Sequence, residues 1–270
     1  MSFYTSLNGM KNAQTSLGVI AHNIANSETY GFKRSRTEFS EIVAASALTN
    51  PKMIQGIGAS VEAINQNFSL GPVEQTGSAL DLAITGDGFF TARSPLDGTT
   101  QYTRAGSFQM TGGGNIVDNS GNRLQLLPVD ANGQVTGNTL GDATVPVVNA
   151  AGSAFVGVTV DKAGIVNASY ADGTVEPVGA IALASFVSPG GLKKIGQASW
   201  EGTGLSGAAT YGAPGSGPYG SILSGALERS NVDIAEELVG LITAQRNFQA
   251  NAKAIDTATQ ISQTVINLRT

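Results

Sequence analysis

Both ends of the chain carry apolar and small residues at alternating steps of four and three positions. At the N-terminus these positions are Phe3, Leu7, Met10, Gln14, Leu17, Ala21 and Ile24. At the C-terminus the same spacing begins at Ile234 and includes Leu238, Leu241, Phe248, Ile255 and Ile266. Such spacing puts one stripe of residues on a single face of an α-helix, the face that a partner helix covers in a coiled coil. The two ends are therefore predicted to form long helices that pair with each other along this stripe, the assembly seam.

The flanks of the seam carry few charges. Positions 3–26 contain one charged residue, Lys11, and positions 238–267 contain three, Arg246, Lys253 and Asp256. A coiled coil that stands alone in water normally has Glu, Lys and Arg along these flanks. We therefore expect the paired ends to be surrounded by other copies of the chain in an assembly. The alternative is a monomer whose terminal helices cover its own core.

The middle of the chain alternates short apolar runs with turn sequences. Thirty-five glycines and a charged fraction of only 13% favour strands joined by tight connections. Asp97-Gly98 and Asp172-Gly173 separate strand-like runs, a pattern typical of antiparallel hairpins. The predicted fold class is α+β and mostly β, with discontinuous domains, terminal helices pairing as a coiled coil, and a β-rich body of antiparallel strands.

Four parts are predicted along the chain. Residues 1–29 and 230–270 form a terminal helical domain, and residues 30–72 form an extended linker with some local helix. Residues 73–128 and 181–229 form a β domain. Residues 129–180 form either a small outer β insertion or an extension of that domain.

Charge and composition exclude several classes of partner. The formal net charge is −5, and the basic residues cluster only at Lys33, Arg34 and Arg36, which argues against a nucleic-acid surface. Cysteine is absent, so disulfides and thiolate metal sites are excluded. No segment has a secretory leader pattern or the apolar length of a membrane-spanning helix. We expect protein partners, with no nucleic acid and no membrane insertion.

Catalytic chemistry has little support in the sequence. His22 is the only histidine, so a histidine-rich metal site is excluded, and a structural role is the simpler interpretation. The glycine clusters lack the Gly-Lys-Ser/Thr of a phosphate-binding loop. Most aspartates in the middle of the chain fall at predicted turns, where this residue is common. We predict no catalytic, cofactor-binding or metal-binding residue and no enzymatic activity; a secreted β-rich carbohydrate-binding module or enzyme is the competing class.

Three segments, in order along the chain, resemble the signatures of one family. The first contains Asn23, Ala25, Asn26, Thr29, Gly31, Phe32 and Lys33, with His22 where the signature has asparagine. The second contains Gly88, Phe89 and Phe90 and continues to Tyr102-Thr103-Arg104-Ala105-Gly106. The third contains Ser230, Asn231 and Val232 within the run from Gly225 to Asp233. These segments resemble the bacterial flagellar rod and hook proteins.

Within that family the C-terminal segments are more similar to the hook branch, whereas the chain length is nearer to the distal rod branch, which stays the alternative. The resemblance implies a structural subunit of the flagellar hook, self-assembling into a helical tube that transmits motor torque to the filament. It implies many copies of the chain as partners, together with distal rod, hook cap and hook–filament junction proteins. It also implies transport through the type III export apparatus, a location in the hook or basal body outside the cell, terminal helices lining the central channel, and no cofactor.

Overall fold

The computed structural model of the protein describes residues 2–44 and 55–267. Within these ranges, helix α1 (Ser2–Ala25) comes first, nineteen strands follow, and helix α2 (Ile234–Asn267) comes last. All pairings between the strands are antiparallel. The prediction of two terminal helices and a mostly antiparallel β body is confirmed.

The strands are short except for the first two. The first ten are β1 (Ser35–Ala44), β2 (Gln55–Gln66), β3 (Val73–Gln75), β4 (Leu82–Thr85), β5 (Phe89–Arg93), β6 (Thr100–Thr103), β7 (Phe108–Met110), β8 (Ile116–Asp118), β9 (Arg123–Leu127) and β10 (Gly141–Asp142). The others are β11 (Phe155–Val160), β12 (Ile165–Tyr170), β13 (Val175–Ile181), β14 (Leu183–Ser185), β15 (Lys193–Gly196), β16 (Ser199–Glu201), β17 (Thr210–Gly212), β18 (Ser221–Ser224) and β19 (Ala226–Glu228).

The chain divides into two compact units, each built from separate segments. The terminal unit consists of Met1–Ser27, Arg34–Asn67 and Val232–Thr270, and the body unit consists of Glu28–Lys33 and Phe68–Asn231. The predicted helical domain therefore acquires a third segment, 34–67, that the sequence analysis assigned to a linker.

Strands β1 and β2 pair as an antiparallel ribbon inside the terminal unit, where an extended linker with local helix was predicted. Register shifts at Glu38/Phe39 and Ile42/Val43 interrupt the alternation of apolar and polar residues, which obscures the strand pattern in the sequence. The connection at 45–54 lies outside the described residues. Asn12 of α1 donates a hydrogen bond of 2.8 Å to the Ala59 carbonyl in β2, so the ribbon packs against the helix.

Helices α1 and α2 contact each other in antiparallel orientation within the terminal unit. A Cβ placed on Gly9 would lie 2.5 Å from Asn251 Oδ1, and one placed on Gly240 would lie 3.4 Å from Ile20 Cδ1. The N-terminal part of α1 is therefore opposite the C-terminal half of α2. Asp233 begins α2, because its carboxylate accepts hydrogen bonds from the Ala235 and Glu236 amides at 2.8 and 3.2 Å.

The body unit is organised around one large sheet. Its main path runs β11, β12, β13, β9, β5, β6, β16 and β15. Phe90 packs in the main apolar cluster on one face, and Phe89 packs with Trp200 in a second cluster, as expected for neighbouring residues of one strand. Residues 129–180 contribute β11, β12 and most of β13, and these strands continue the same sheet.

A buried ion pair joins distant parts of the body unit. Lys33 Nζ lies 2.5 Å from Glu228 Oε1, and both side chains are fully buried. Lys33 also donates to the Ser69 carbonyl at 2.7 Å, and Glu228 Oε1 accepts from the Gly71 amide at 2.9 Å. Arg104 Nη1 reaches the other carboxylate oxygen at 3.4 Å. Burial lowers the pKa of Lys33 and the pKa of Arg104, partly opposed by the charge of Glu228.

Replacing Lys33 with methionine should strongly destabilise the body unit. The change would leave the Glu228 carboxylate buried with only its more distant charged partner, so we expect the free energy of unfolding to fall by about 3–5 kcal/mol. Trp200 is the only tryptophan of the sequence and is buried in this unit. Urea unfolding followed by its fluorescence therefore measures the effect.

Lys193→Met is the matched control. Lys193 pairs with Glu201 at 3.2 Å, but both side chains are exposed. Loss of this pair should lower the free energy of unfolding by less than about 1 kcal/mol. Equal unfolding midpoints for the two variants would contradict a dominant role for the buried pair.

Close approach of the two helices should depend on the absence of a side chain at Gly9. Gly9→Leu would displace the Asn251 side chain from its hydrogen bond to the Asn247 carbonyl and overfill the helix contact, so we expect the free energy of unfolding to fall by about 1–3 kcal/mol. Gly18→Leu is the control on the same helix, because a Cβ there has no neighbour within 4 Å and leucine is the better helix former. Thermal melting of the circular dichroism signal at 222 nm should show early loss of helix only for Gly9→Leu. Identical melting of the two variants would rule out this contact as a determinant of the pairing.

Candidate assembly site

Half of the predicted seam on α2 faces inward. Leu241, Phe248 and Ile255 are partly buried in the terminal unit. The fully buried residues of α2, however, are Glu237 and Ala244, whereas the predicted Leu238 is 48% exposed. At alternate steps along α2, the residue that faces inward is thus one position earlier than the predicted one. Leu238 therefore lies outside the inward stripe.

An ion pair accounts for the offset at the start of α2. Arg34 Nε lies 2.5 Å from Glu237 Oε1, and its two terminal nitrogens each donate to Glu236 at 2.9 Å. These hydrogen bonds to Glu236, with the charge of Glu237, raise the pKa of Arg34. Glu237 is only 2% exposed, so its pairing with Arg34 takes the inward position that a simple apolar pattern gives to Leu238.

The predicted seam on α1 is mostly covered. Leu7, Met10, Leu17 and Ile24 are partly buried, whereas Phe3 is 42% exposed. Ala13, which the predicted stripe omits, is buried. Thr5 and Asn8, which are not part of the predicted seam, lie beside Gly58 of the ribbon. Strand β2 therefore covers a helix face that we expected other copies to cover.

Several large apolar side chains of α2 are exposed at both of its ends. Near its start these are Ile234, Leu238, Val239 and Ile242, which are 44–66% exposed. Near its end they are Ile261, Val265 and Ile266, which are 60–66% exposed. Exposed apolar residues grouped in this way are typical of surfaces that bind another protein.

The three sequence signatures meet within the body unit. Gly31 of the first has φ +68°, and a Cβ there would lie 2.3 Å from the Ala105 amide nitrogen of the second. Its own amide donates to the Glu228 carbonyl of the third at 2.8 Å. Next to this contact, Lys33, Arg104 and Glu228 form the buried ion cluster. Only glycine fits at position 31, because a side chain would be strained and would strike the backbone.

Other residues of the first two signatures contribute to packing or to the backbone path of the body unit. Phe32 is buried, with Lys194 Nζ 4.6 Å from its ring centre, and the Phe32 amide donates to the Thr29 carbonyl. Arg104 lies over the Phe89 ring at 5.3 Å. Gly88, with φ +121°, precedes the strand that holds Phe89 and Phe90.

The remaining signature residues are near the points where the chain passes between its units. In the terminal unit, the buried Asn23 donates to the Ser35 carbonyl at 2.8 Å and accepts from the Ser35 amide at 3.0 Å, whereas Ala25 is exposed. The side-chain amide of Asn26 donates a hydrogen bond of 2.8 Å to the His22 carbonyl, at the end of α1. In the body unit, Ser230 is buried and Asn231 donates to the Ser69 carbonyl at 3.1 Å. Val232 is partly buried in the terminal unit.

The acidic residues of the β body shape turns. The carboxylates of Asp118, Asp130 and Asp161 each accept hydrogen bonds from backbone amides two and four positions later. Asp172 accepts similar hydrogen bonds at its turn. These bonds lower the pKa of the Asp172 carboxyl group, and the bond from the Thr174 hydroxyl has the largest effect. Across residues 2–44 and 55–267, no group of three or more His, Asp or Glu side chains is arranged to hold a metal ion. Over the same ranges, no helix has the length and apolar character needed to cross a membrane.

The sequence analysis gave no ion-pair role to Arg34, Arg104, Glu228 or Glu237. Arg104 and Glu228 stand inside the quoted signatures, and for Glu228 the available signal was a charge beside Ala226 and Leu227 in a short strand. For Arg34 and Glu237 no local signal exists, because their partners are far away in the sequence.

Three family descriptions match separate parts of the chain. Residues 3–33 match "Flagella basal body rod protein", residues 83–168 match "Flagellar hook protein FlgE/F/G D1 domain", and residues 223–268 match "Flagellar basal body rod FlgEFG protein C-terminal". The matches contain, in whole or in part, the three segments that carry the signatures.

Curated relatives match over nearly their full lengths. The flagellar basal-body rod protein FlgG of Bacillus subtilis is 38% identical over 280 residues, covering 99% of this chain and 98% of the relative. The protein of the same name from Caulobacter vibrioides is 37% identical, covering 98% of each chain. The flagellar hook protein FlgE of Salmonella typhimurium is 28% identical over 411 aligned positions, covering all of both chains. The chain therefore belongs to the flagellar rod and hook protein family, whose members are structural components of the bacterial flagellum.

Proposed function

We propose that the chain is a rod subunit of the flagellar basal body that assembles with many copies of itself into a helical tube. The observation that carries the proposal is length. The match to the Bacillus subtilis rod protein spans 280 positions, close to the 270 residues of the chain. The match to the hook protein spans 411 positions, so at least 141 of them have no residue in this chain.

A hook subunit is the second candidate function. The sequence analysis favoured it on the C-terminal segments, and full coverage of the Salmonella typhimurium hook protein supports it. A hook subunit of this length would lack much of what the longer relative carries between its shared segments. The rod function and the hook function therefore predict different results for a genetic test.

In the proposed tube, α1 and α2 pair as a coiled coil and form the inner layer around a central channel. Their antiparallel contact, their low charge and the exposed apolar residues at both ends of α2 support this role. The body unit, including residues 129–180, forms the outer layer. The other expected partners are neighbouring rod or hook proteins, hook cap and hook–filament junction proteins and the type III export apparatus, with no nucleic acid and no membrane insertion.

Deleting the gene should decide between the two functions. A rod subunit is needed before the hook, so we expect basal bodies that lack the distal rod and carry no hook. Electron microscopy of basal bodies isolated from the deletion strain, with the complemented strain as control, checks this. Complete rods without hooks would favour the hook subunit, and intact rods with hooks would contradict both proposals.

A charge in the helix contact should block assembly and spare the body unit. Leu241→Asp or Leu17→Asp would bury an unpaired carboxylate between the helices, which is strongly unfavourable. We expect no tubes by electron microscopy and at least a tenfold loss of motility. The urea midpoint reported by Trp200 should stay unchanged, because Trp200 belongs to the body unit.

Gln245→Asp and Gln14→Asp are the matched controls, because both glutamines are exposed on the same helices, although the predicted seam included Gln14. They should assemble normally if burial of the seam, rather than added charge, decides the outcome. Normal tubes from Leu241→Asp would show that the seam is dispensable.

A further inference from the structure

The β1–β2 ribbon has one face against α1 and one face turned away from it. A Cβ placed on Gly58 would lie 3.6 Å from Asn8 Cβ of α1, and Ile42, which is paired with Gly58, shares that face. Because side chains alternate along a strand, the odd-numbered residues of β1 point the other way, together with their partners on β2. The large side chains of this outward ribbon face are Phe39, Glu41, Val43 and Ile64.

The outward ribbon face is apolar and acidic. Phe39, Val43 and Ile64 are 46–50% exposed, and the exposed Glu41 stands between the first two along the strand. Glu62, also exposed, is the extra residue of β2 at the bulge beside Phe39. Within residues 2–44 and 55–267, neither glutamate forms a salt bridge. A surface that covers this face therefore needs apolar side chains and a positive charge.

Helix α2 has a stripe of this kind on the side turned away from α1. Gly240 and Asn251 mark the side that contacts α1. At 3.6 residues per turn, five residues share the other side of the helix. These residues, the outward helix stripe, are Val239, Ile242, Arg246, Ala250 and Lys253. All five are exposed.

The outward helix stripe is apolar near the start of α2 and basic further along. In the part of the chain that the structure describes, Arg246 and Lys253 have no acidic partner. The two glutamates of the first turns are paired with Arg34, and Asp256 lies at the edge of the stripe. The stripe thus carries a positive charge opposite in sign to that of the outward ribbon face.

The two surfaces also have matching spacings. Alternate residues of a strand are about 6.6 Å apart, and helix residues four positions apart are about 6 Å apart. The order of apolar and charged side chains is the same in one direction along each surface. With Phe39 on Ile242, the other pairs are Glu41 with Arg246, Val43 with Ala250 and, one step in the opposite direction, Ile64 with Val239.

We propose that the outward ribbon face of one copy packs on the outward helix stripe of the next copy, with Glu41 paired to Arg246. The inference rests on the proposed function, because it names a contact by which copies join. Both surfaces point away from α1 of their own copy, so they meet only between copies. Their opposite charges and equal spacings select a second copy as the partner. Because the two surfaces differ, the contact is heterologous and forms an open polymer rather than a closed dimer.

Charge reversal tests the contact in a strain that lacks the gene and carries a variant copy. Glu41→Lys and Arg246→Glu each bring like charges together, so we expect each to lower the swimming rate and the number of complete rods about tenfold. The double variant Glu41→Lys/Arg246→Glu has opposite charges in every contact and should regain about half of the wild-type swimming rate. Swimming in soft agar and electron microscopy of isolated basal bodies measure both effects.

Glu38→Lys and Lys11→Glu are the matched controls, because both residues are exposed in the terminal unit but lie outside the two surfaces. Each should swim like the wild type, and Glu38→Lys/Arg246→Glu should stay as defective as Arg246→Glu. Single variants Glu41→Lys and Arg246→Glu that swim normally, or a double variant no better than they are, would overturn the inference. The proposed function would stand in that case if the wild-type gene restores complete rods.

Cysteine cross-linking decides the question if immunoblots show that a charge variant is degraded in the cell. The sequence contains no cysteine, so Phe39→Cys and a tagged Ile242→Cys are expressed together and basal bodies are oxidised. A disulfide-linked dimer of one tagged and one untagged chain supports the contact, and its absence from assembled rods refutes it. Ser40→Cys in place of Phe39→Cys is the control and should give no dimer, because Ser40 belongs to the face against α1. Complete rods and hooks in the strain without the gene would instead refute the proposed function.

Discussion

The structure depends on the buried pair between Lys33 and Glu228, because this pair holds together the places where the chain enters and leaves the body unit. The chain passes between its units at four positions, next to Glu28, Lys33, Phe68 and Asn231. Lys33 binds both Glu228 and the Ser69 carbonyl, Asn231 also binds Ser69, and Glu28 pairs with Arg229 at 2.6 Å. All four crossings are thus tied within the body unit, at a cost in desolvation that the surrounding hydrogen bonds offset.

This arrangement suits a subunit whose two ends must act together. Each of the three segments of the terminal unit is connected to one of these fixed positions. This reduces the loop-closure entropy lost when residues far apart in sequence form one helix–ribbon unit. Inside that unit, α1 has two neighbours, with Asn12 bonded to the ribbon and Gly9 against α2. On α2, the exposed large apolar residues lie near its start and near its end. Under the proposed function, neighbouring copies would cover these residues.

Local patterns in the sequence were sufficient for the helices, the turns and the family. Steps of four and three residues predicted α1 and α2, and Asp-Gly sequences such as Asp172-Gly173 predicted turns between antiparallel strands. The pairing of Lys33 with Glu228, 195 positions apart, has no local signal. The offset of the inward stripe on α2 also depends on a distant residue, since Arg34 draws Glu237 to the place assigned to Leu238. The ribbon β1–β2 was missed because its bulges break the alternation on which strand prediction relies.

The contacts around Lys33 and Glu228 that connect the four crossings are called the crossing point. Amide hydrogen exchange of the intact protein tests its central role most directly. The Gly71 amide donates to the Glu228 carboxylate, the Gly31 amide to the Glu228 carbonyl, and the Ile181 amide to the Gly164 carbonyl in the main sheet. If the crossing point and the sheet form one cooperative element, the three amides exchange with the same free energy of opening, through global unfolding of the body unit. Fast exchange at Gly31 and Gly71 beside a protected Ile181 would show that the crossing point opens by itself, and would contradict the account.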